Sequence, residues 1–324
     1  MTPNTGALPL EEGHRGPLLQ HAPVPDMLLE ALRQDHEIVD FYALSPADFE
    51  ARAPEFRILL TNGEDTVSRE RIQSLPNLAL IANFGVGYDG IDVLAAADHG
   101  VQVSNTPEVL TEDVADLAMG LLLSVSRQIP AAQRFLESGA WTNGGFAWTH
   151  KVSGSRLGIV GMGRIGEAIG RRAAAFHMPV RYYSRQPKPS VDYEFEPSLV
   201  ELATWADALV ICVPGGAATK DLVNAEILRA LGPHGFLINV GRGSVVDEAA
   251  LIKALHAGEL GGAGLDVFAN EPHVPAQLQN LPNVVITPHI GSATWQTREA
   301  MSQLVVANIR AFEEGRPLVT PVGH

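Results

Sequence analysis

Short apolar runs alternate with longer amphipathic stretches along most of the chain. Runs at residues 56–60, 78–82, 101–104, 157–160, 180–183, 208–213, 236–240, 264–268 and 284–287 predict strands. Helical spacing at 67–74, 91–98, 167–176, 198–204, 225–231, 248–257 and 294–313 fills the gaps between them. Gly100 reads as a helix stop and Asp247 as a cap. Strands alternating with helices predict parallel sheets with helical crossovers. Residues 1–16 read as a loose lead-in, and the alternation starts at Gly16.

Two features interrupt this rhythm. Thr111 reads as an N-cap, with Glu112 and Asp113 in the first turn. The helix it opens is apolar nearly all round from Leu117 to Val125, which predicts burial in a core or a subunit interface. A helix over 131–138 then leads to a Gly/Trp-rich loop at 139–149. Its Trp141, Phe146 and Trp148 either anchor the loop or line a substrate pocket. The whole pattern predicts an α/β protein of two doubly wound parallel-sheet domains. Residues 105–290 are expected to form one of them, inserted into a smaller one of residues 1–104 and 291–324.

Composition narrows the function classes. The 324 residues are 46% hydrophobic and 19% charged, ordinary for a globular protein of about two domains. The net charge of −14 argues against nucleic-acid or membrane-surface partners. An anionic substrate must therefore find a local cationic pocket. The single cysteine, Cys212, lies in an apolar run and reads as core packing, with no intrachain disulfide possible. No signal peptide is evident, and the longest apolar stretch, 117–125, is too short to span a bilayer. These features fit a cytoplasmic protein.

The most informative stretch is strand, glycine turn, helix at 155–166. Gly161, Gly163 and Gly166 have the G-x-G-x-x-G spacing directly after a strand. The first glycine permits the sharp turn, the second the close approach of a pyrophosphate, and the third tight packing of helix on strand. The helix N-terminus offers free N–H groups to phosphate oxygens. Where NAD-binding chains carry an acid for the ribose, this chain has Ser184 and Arg185. A hydroxyl and an arginine suit a 2′-phosphate, so NADP(H) is preferred over NAD(H); the plainer alternative is that Arg185 is a solvated loop charge.

Three charged or titratable residues follow strand ends: Arg242 after 236–240, Glu271 after 264–268 and His289 after 284–287. Ligands in open α/β sheets bind past the carboxyl ends of strands. Arginine grips carboxylate and carbonyl oxygens, and histidine hands over a proton near neutrality. A neighbouring carboxylate orients the imidazole and favours its charged form. Together they make a site for a 2-keto acid. Singly each is ordinary: the chain has 11 histidines, Glu-Pro is a common loop dipeptide, and an arginine between glycines can simply cap a carbonyl.

The chain resembles the D-isomer-specific 2-hydroxyacid dehydrogenases over nearly its whole length. The matching pieces are Asn83-Phe84-Gly85-Val86-Gly87-Tyr88-Asp89, Asn105-Thr106-Pro107 with Thr111 and Val114-Ala115-Asp116, and residues 158–170. Further on they are residues 236–247, Gly264-Leu265-Asp266-Val267-Phe268 with Glu271-Pro272, and residues 287–294. The resemblance implies that residues 105–290 are a Rossmann cofactor domain and that residues 1–104 and 291–324 are a flavodoxin-like substrate domain. It implies that Arg242 binds and polarises substrate, His289 is the acid/base and Glu271 is its partner. It implies that backbone amides at Val86 and Gly87 hold the substrate carboxylate, and that Asp266 meets the nicotinamide amide. The cofactor is expected to touch Thr111, Arg164, Ile165, Val213, Pro214, Thr219, Val240 and Ser292 as well. The stretch Gly215-Gly216-Ala217-Ala218-Thr219 departs from the Leu-Thr-Pro type found in many relatives. The Ser-Arg pair is similar to the glyoxylate/hydroxypyruvate reductase branch. The implied activity is NADPH-dependent reduction of a short 2-keto acid to the D-2-hydroxy acid, by a homodimer without a metal. An NAD-dependent enzyme of phosphoglycerate type and a non-catalytic nucleotide-sensing scaffold are the alternatives.

Overall fold

The computed structural model describes residues 15–63 and 65–323. The chain divides into two compact units. One runs up to Val109 and resumes at Trp295; the other is Leu110–Thr294. Boundaries drawn from sequence at 104/105 and 290/291 lie slightly earlier at both junctions. The backbone explains the first difference: Asn105 N donates to Thr320 O at 3.3 Å and Thr106 N to Gly85 O at 2.9 Å, within the first unit.

The first unit contains β1 (Arg15–Gln20), α1 (Asp26–Leu32), β2 (His36–Asp40), α2 (Pro46–Arg52), β3 (Ile58–Thr61), α3 (Arg69–Gln73), β4 (Leu80–Asn83), α4 (Val93–Asp98) and β5 (Gln102–Ser104). The strands form one parallel sheet in the order β2-β1-β3-β4-β5. That is the flavodoxin-like order, with a switch point between β1 and β3. β3 and β4 are buried along their whole length. Ser68 and Asp92 cap α3 and α4, accepting hydrogen bonds from Arg71 N and Ala95 N.

The second unit runs α5 (Thr111–Ser126), α6 (Ile129–Glu137), β6 (Leu157–Val160), α7 (Arg164–Ala175), β7 (Val180–Tyr183), β8 (Glu194–Phe195), α8 (Leu199–Trp205), β9 (Ala208–Ile211), α9 (Ala225–Leu231), β10 (Phe236–Asn239), α10 (Glu248–Ala257), β11 (Gly262–Leu265) and β12 (Val284–Ile286). Its seven strands are parallel in the order β12-β11-β10-β9-β6-β7-β8, a Rossmann sheet with its switch point between β6 and β9. The chain ends with α11 (Trp295–Glu313), which packs on α1 and β4 of the first unit. Among the described residues, no helix is long and apolar enough to cross a membrane.

The apolar stretch from Leu117 to Val125 has no exposed residue; α5 packs on α7, β10 and β11, while Glu112 and Asp116, before that stretch, reach out to Arg171 and Arg172 of α7. Two local expectations are corrected. Thr111 is the first residue of α5 and does not cap it; Leu110 precedes it with φ −104° and ψ 0°, and no side chain caps the helix. Trp141 and Trp148 do not anchor their loop: they are 68% and 100% exposed. Only Phe146 of the three packs, edge-on to Phe135 with ring centroids 5.4 Å apart.

The glycine turn shows why helix and strand meet closely. A Cβ on Gly166 would lie 2.2 Å from Gly161 O, whereas one on Gly163 would meet nothing within 4 Å. Gly166→Ala therefore forces α7 off the turn and should cost about 1–3 kcal/mol, read as a lower thermal midpoint. Gly163→Ala should leave that midpoint within the range of a harmless surface change. Equal midpoints for the two variants would contradict this packing.

Candidate active site

β6 ends at Val160, and Gly161 turns the chain with φ +103°. Its N–H donates to Tyr183 O at 2.9 Å. A Cβ here would come within 2.7 Å of Val213 Cγ1. Gly163 is exposed and precedes α7, the helix of Arg164 and Ile165, without a side-chain cap, so the N-terminus of the helix is open to a ligand. An open Gly163 beside an uncapped N-terminus fits a dinucleotide pyrophosphate. Cys212 braces the turn from beneath, its Sγ donating to Gly161 O at 3.0 Å. Burial pushes its thiol up to about 12, so it stays protonated and serves as a donor.

The other expected cofactor residues are spread around this turn. Val240 is buried, and its N–H donates to Ile211 O at 3.1 Å, extending the β10–β9 pairing. The divergent loop after Val213 closes on itself. Thr219 Oγ1 donates to Pro214 O at 2.7 Å, and Gly216 takes φ +116°. Ser184 spends its hydroxyl within its own turn, donating to Gln186 O. Arg185 is exposed and makes no ion pair among the described residues. Thr111 opens α5 and Ser292 lies half-buried after β12; neither is hydrogen-bonded to the glycine turn among the described residues.

The three residues after strand ends are brought together within the second unit. His289 Nδ1 lies 2.7 Å from Glu271 Oε2. Glu271 Oε1 accepts from Phe268 N at 2.8 Å, which fixes the carboxylate on its own loop. This bond also explains why β11 stops at Leu265 and not at 268: the chain leaves the sheet to close the Phe268–Glu271 turn. Burial alone would raise the Glu271 carboxyl. The hydrogen bond and charge of His289, the Phe268 amide and the charge of Arg242 outweigh it and hold the carboxyl below its ordinary value.

Arg242 is positioned by its neighbours. Asn239 Oδ1 accepts from Gly241 N at 3.1 Å, and Asn239 Nδ2 donates to Arg242 O at 3.0 Å. A Cβ on Gly243 would lie 1.9 Å from the Phe268 carbonyl carbon. Only glycine there lets the Arg242 turn lie against the strand-end segment that carries Glu271. Arg242 Nη1 also donates to Gly241 O at 2.9 Å, so the carbonyl-capping contact is made as well.

Asp266 holds the histidine loop. It is 1% exposed. Oδ1 accepts from Thr287 Oγ1 at 2.6 Å and Ile290 N at 2.8 Å, and Oδ2 accepts from Gly291 N at 2.8 Å. Its carbonyl accepts from His289 N at 2.9 Å, where His289 takes φ +50°. Burial pushes the Asp266 carboxyl up, against the pull of these hydrogen bonds and of the His289 charge.

In the first unit, the loop after β4 is tethered by its carbonyls. Gly85 O accepts from Asn83 Nδ2 at 3.1 Å and from Thr106 N at 2.9 Å. Gly87 O accepts from Asn83 Nδ2 at 2.8 Å, and Val86 O from Asn105 Nδ2 at 2.9 Å. In a planar trans peptide the N–H points opposite to the C=O. The amides of Val86, Gly87 and Tyr88 thus face away from the tethers, and nothing among the described residues accepts from them. Three such consecutive amides suit a carboxylate. Sequence reading missed Asn83, Asn105 and Asn239 as positioning groups. The available signal was an amide side chain at or just past the last position of a strand. No cluster of His, Cys, Asp and Glu fit for a metal occurs among the described residues.

The chain is also similar to known proteins. The sequence model of the "D-isomer specific 2-hydroxyacid dehydrogenase, NAD binding domain" matches residues 119–291. Hydroxyphenylpyruvate reductase of Plectranthus scutellarioides is 47% identical over 283 residues, covering 87% of this chain and 88% of that protein. A glyoxylate/hydroxypyruvate reductase A of Arabidopsis thaliana is 45% identical over 308 residues, covering 94% and 98%. Among solved structures, an NADPH-dependent glyoxylate/hydroxypyruvate reductase of Sinorhizobium meliloti, in complex with NADP and malonate, superposes with a TM-score of 0.88 at 43% identity, covering 95% of this chain and 97% of that one. With a Rossmann sheet, an uncapped glycine turn and a carboxylate–imidazole pair at its strand ends, the chain belongs to the D-isomer specific 2-hydroxyacid dehydrogenases, a family of NAD(P)-dependent oxidoreductases.

Proposed function

We propose that the protein is an NADPH-dependent reductase of short 2-keto acids, converting glyoxylate or hydroxypyruvate to the D-2-hydroxy acid. The observation that carries this reading is the Glu271–His289 pair, 2.7 Å across, beside the Arg242 turn. Bound over the Gly161 turn, a reduced nicotinamide dinucleotide supplies the hydride. The protein's own groups do the rest. Arg242 grips the substrate's carboxylate and keto oxygens with its planar fork. The free amides of Val86 and Gly87 take the carboxylate. His289 Nδ1 is engaged by Glu271, so the proton leaves from Nε2 toward the keto oxygen. Asp266 Oδ2, with one hydrogen bond, keeps a lone pair for the nicotinamide amide.

Support for the cofactor and substrate is of two kinds. Arg185 stands unpaired among the described residues where a 2′-phosphate is read, and an acid is absent there. Two relatives at 45% and 43% identity are described as glyoxylate/hydroxypyruvate reductases, the second as NADPH-dependent. The 47% identical hydroxyphenylpyruvate reductase favours a second reading, in which the pocket accepts an aromatic side chain. Steady-state oxidation of NADPH separates the two. Glyoxylate and hydroxypyruvate should give higher kcat/KM than pyruvate and 4-hydroxyphenylpyruvate; the reverse order selects the aromatic reading. In the same assay Ser184→Asp should cut kcat/KM for NADPH at least tenfold relative to NADH. Unchanged selectivity would refute the assignment of the Ser184–Arg185 turn.

The Glu271 carboxylate also sets a pH response. Glu271 is held below its ordinary value, so it is ionised at neutral pH and favours the charged imidazole. Reduction needs that charged form, so its rate falls as pH rises through the imidazole's titration, and oxidation of the hydroxy acid rises over the same range. Glu271→Gln removes the favouring charge. The alkaline fall in reduction should then move to lower pH by about one unit. A fall that stays in place, measured as kcat/KM against pH, would show that the carboxylate does not control the proton donor.

A further inference from the structure

An ion pair that the mechanism does not use joins Lys188 to Glu167. Glu167 stands in the first turn of α7, behind the uncapped amides, and Lys188 follows the Ser184–Arg185 turn. The two side chains are 32% and 34% exposed, so their charges are only partly screened by water.

The turn does not need this pair for its shape. Lys188 N donates to Tyr182 Oη at 2.7 Å, and Ser184 Oγ donates to Gln186 O. Farther along, the Tyr193 ring lies so close over α7 that a Cβ on Gly170 would be 2.7 Å from it. Uncharged contacts already fix the segment at several points. What the pair changes is the field. Of the other cations nearby, Arg171 and Arg172 pair with Glu112 and Asp116, and Arg181 with Glu194. That leaves Arg185 as the cation of the 184–190 segment without an ion pair among the described residues. An uncompensated Glu167 would oppose it, and Lys188 cancels Glu167.

We propose that the Glu167–Lys188 pair is a specificity device that sets how strongly the protein prefers the 2′-phosphorylated dinucleotide, by neutralising the acid in the first turn of α7. The inference rests on the reading of Ser184 and Arg185 given above. Both residues act through the field at that turn, so they are positioning residues and not catalytic ones. A dianionic phosphate about 10 Å away feels one unit of charge as roughly a threefold change in affinity at low salt. NADH carries the same pyrophosphate but lacks that phosphate, so the pair's effect at the pyrophosphate is common to both dinucleotides and NADH should respond less.

The test is the KM for NADPH and for NADH, with kcat, in Lys188→Met, Glu167→Gln and the double variant, each at about 0.02 M and about 0.5 M ionic strength. Lys188→Met should raise the NADPH KM about threefold. Glu167→Gln should lower it by a similar factor, and the double variant should return near the parent. The NADH KM should move by less than about half these factors. All differences should shrink at the higher salt, where the Debye length is only about 4 Å. Single variants that move in the same direction, with the double no better, would show a mere tether and overturn the inference, as would singles that move nothing. Ser184→Asp separates the two levels. If it swings cofactor choice while the pair variants fail, only this inference falls. If it leaves cofactor choice unchanged, the phosphate reading falls and takes this inference with it.

Discussion

One buried carboxylate organises the chemistry of the second unit. Asp266 has almost no contact with solvent, and a charge in that position is tolerable only if each oxygen accepts hydrogen bonds. Thr287, Ile290 and Gly291 provide them. Because those three residues bracket His289, satisfying the carboxylate fixes the loop that carries the imidazole. The same residue's carbonyl takes the His289 amide and holds a left-handed backbone there, which a non-glycine residue adopts only when its surroundings impose it. Glu271 meets the other side of the ring, on a turn closed by its own bond to Phe268 N. The imidazole is therefore held through its main chain by one acid and through Nδ1 by another.

The parallel sheet explains why residues so far apart in sequence can cooperate. Arg242, Glu271 and His289 follow β10, β11 and β12, neighbouring strands whose carboxyl ends lie side by side. Register brings the loops level; glycine then lets them touch. Gly243 faces the Phe268 carbonyl at a separation no side chain could share, and a Cβ on Gly241 would lie 2.7 Å from Val213 O. The pattern Gly-Arg-Gly is thus a packing requirement on both sides of a functional arginine. In the glycine turn after β6 the roles split in a similar way, with Gly161 and Gly166 serving the fold and Gly163 leaving room for a ligand.

Much of this was legible in the residues. The strand–glycine–helix stretch and the charged residue after each of three apolar runs pointed to one end of one sheet, because strand ends and close backbone approaches leave marks in local sequence. Other features left none. β1 holds only Leu18 and Leu19 as a buried pair and begins with Arg-Gly-Pro, and β8 is two residues long at the sheet edge, so neither shows a periodic signal. Thr111 has a cap's chemistry but follows a residue already near helical angles. Trp141 and Trp148 look like anchors by composition, yet burial is a property of neighbours, and the folded unit leaves Trp141 mostly and Trp148 fully exposed. Asp266 carried only an inherited cofactor role. Its hold on the histidine loop depends on two strands lying side by side, which no local stretch reveals.

The account stands or falls on the imidazole as proton donor. The most direct measurement is turnover of glyoxylate with NADPH in His289→Ala, alongside NADPH affinity by fluorescence in the same protein. The account predicts a fall in kcat of about 10²–10⁴ with cofactor affinity kept within a few-fold. Turnover near that of the parent protein, with NADPH bound normally, would contradict it.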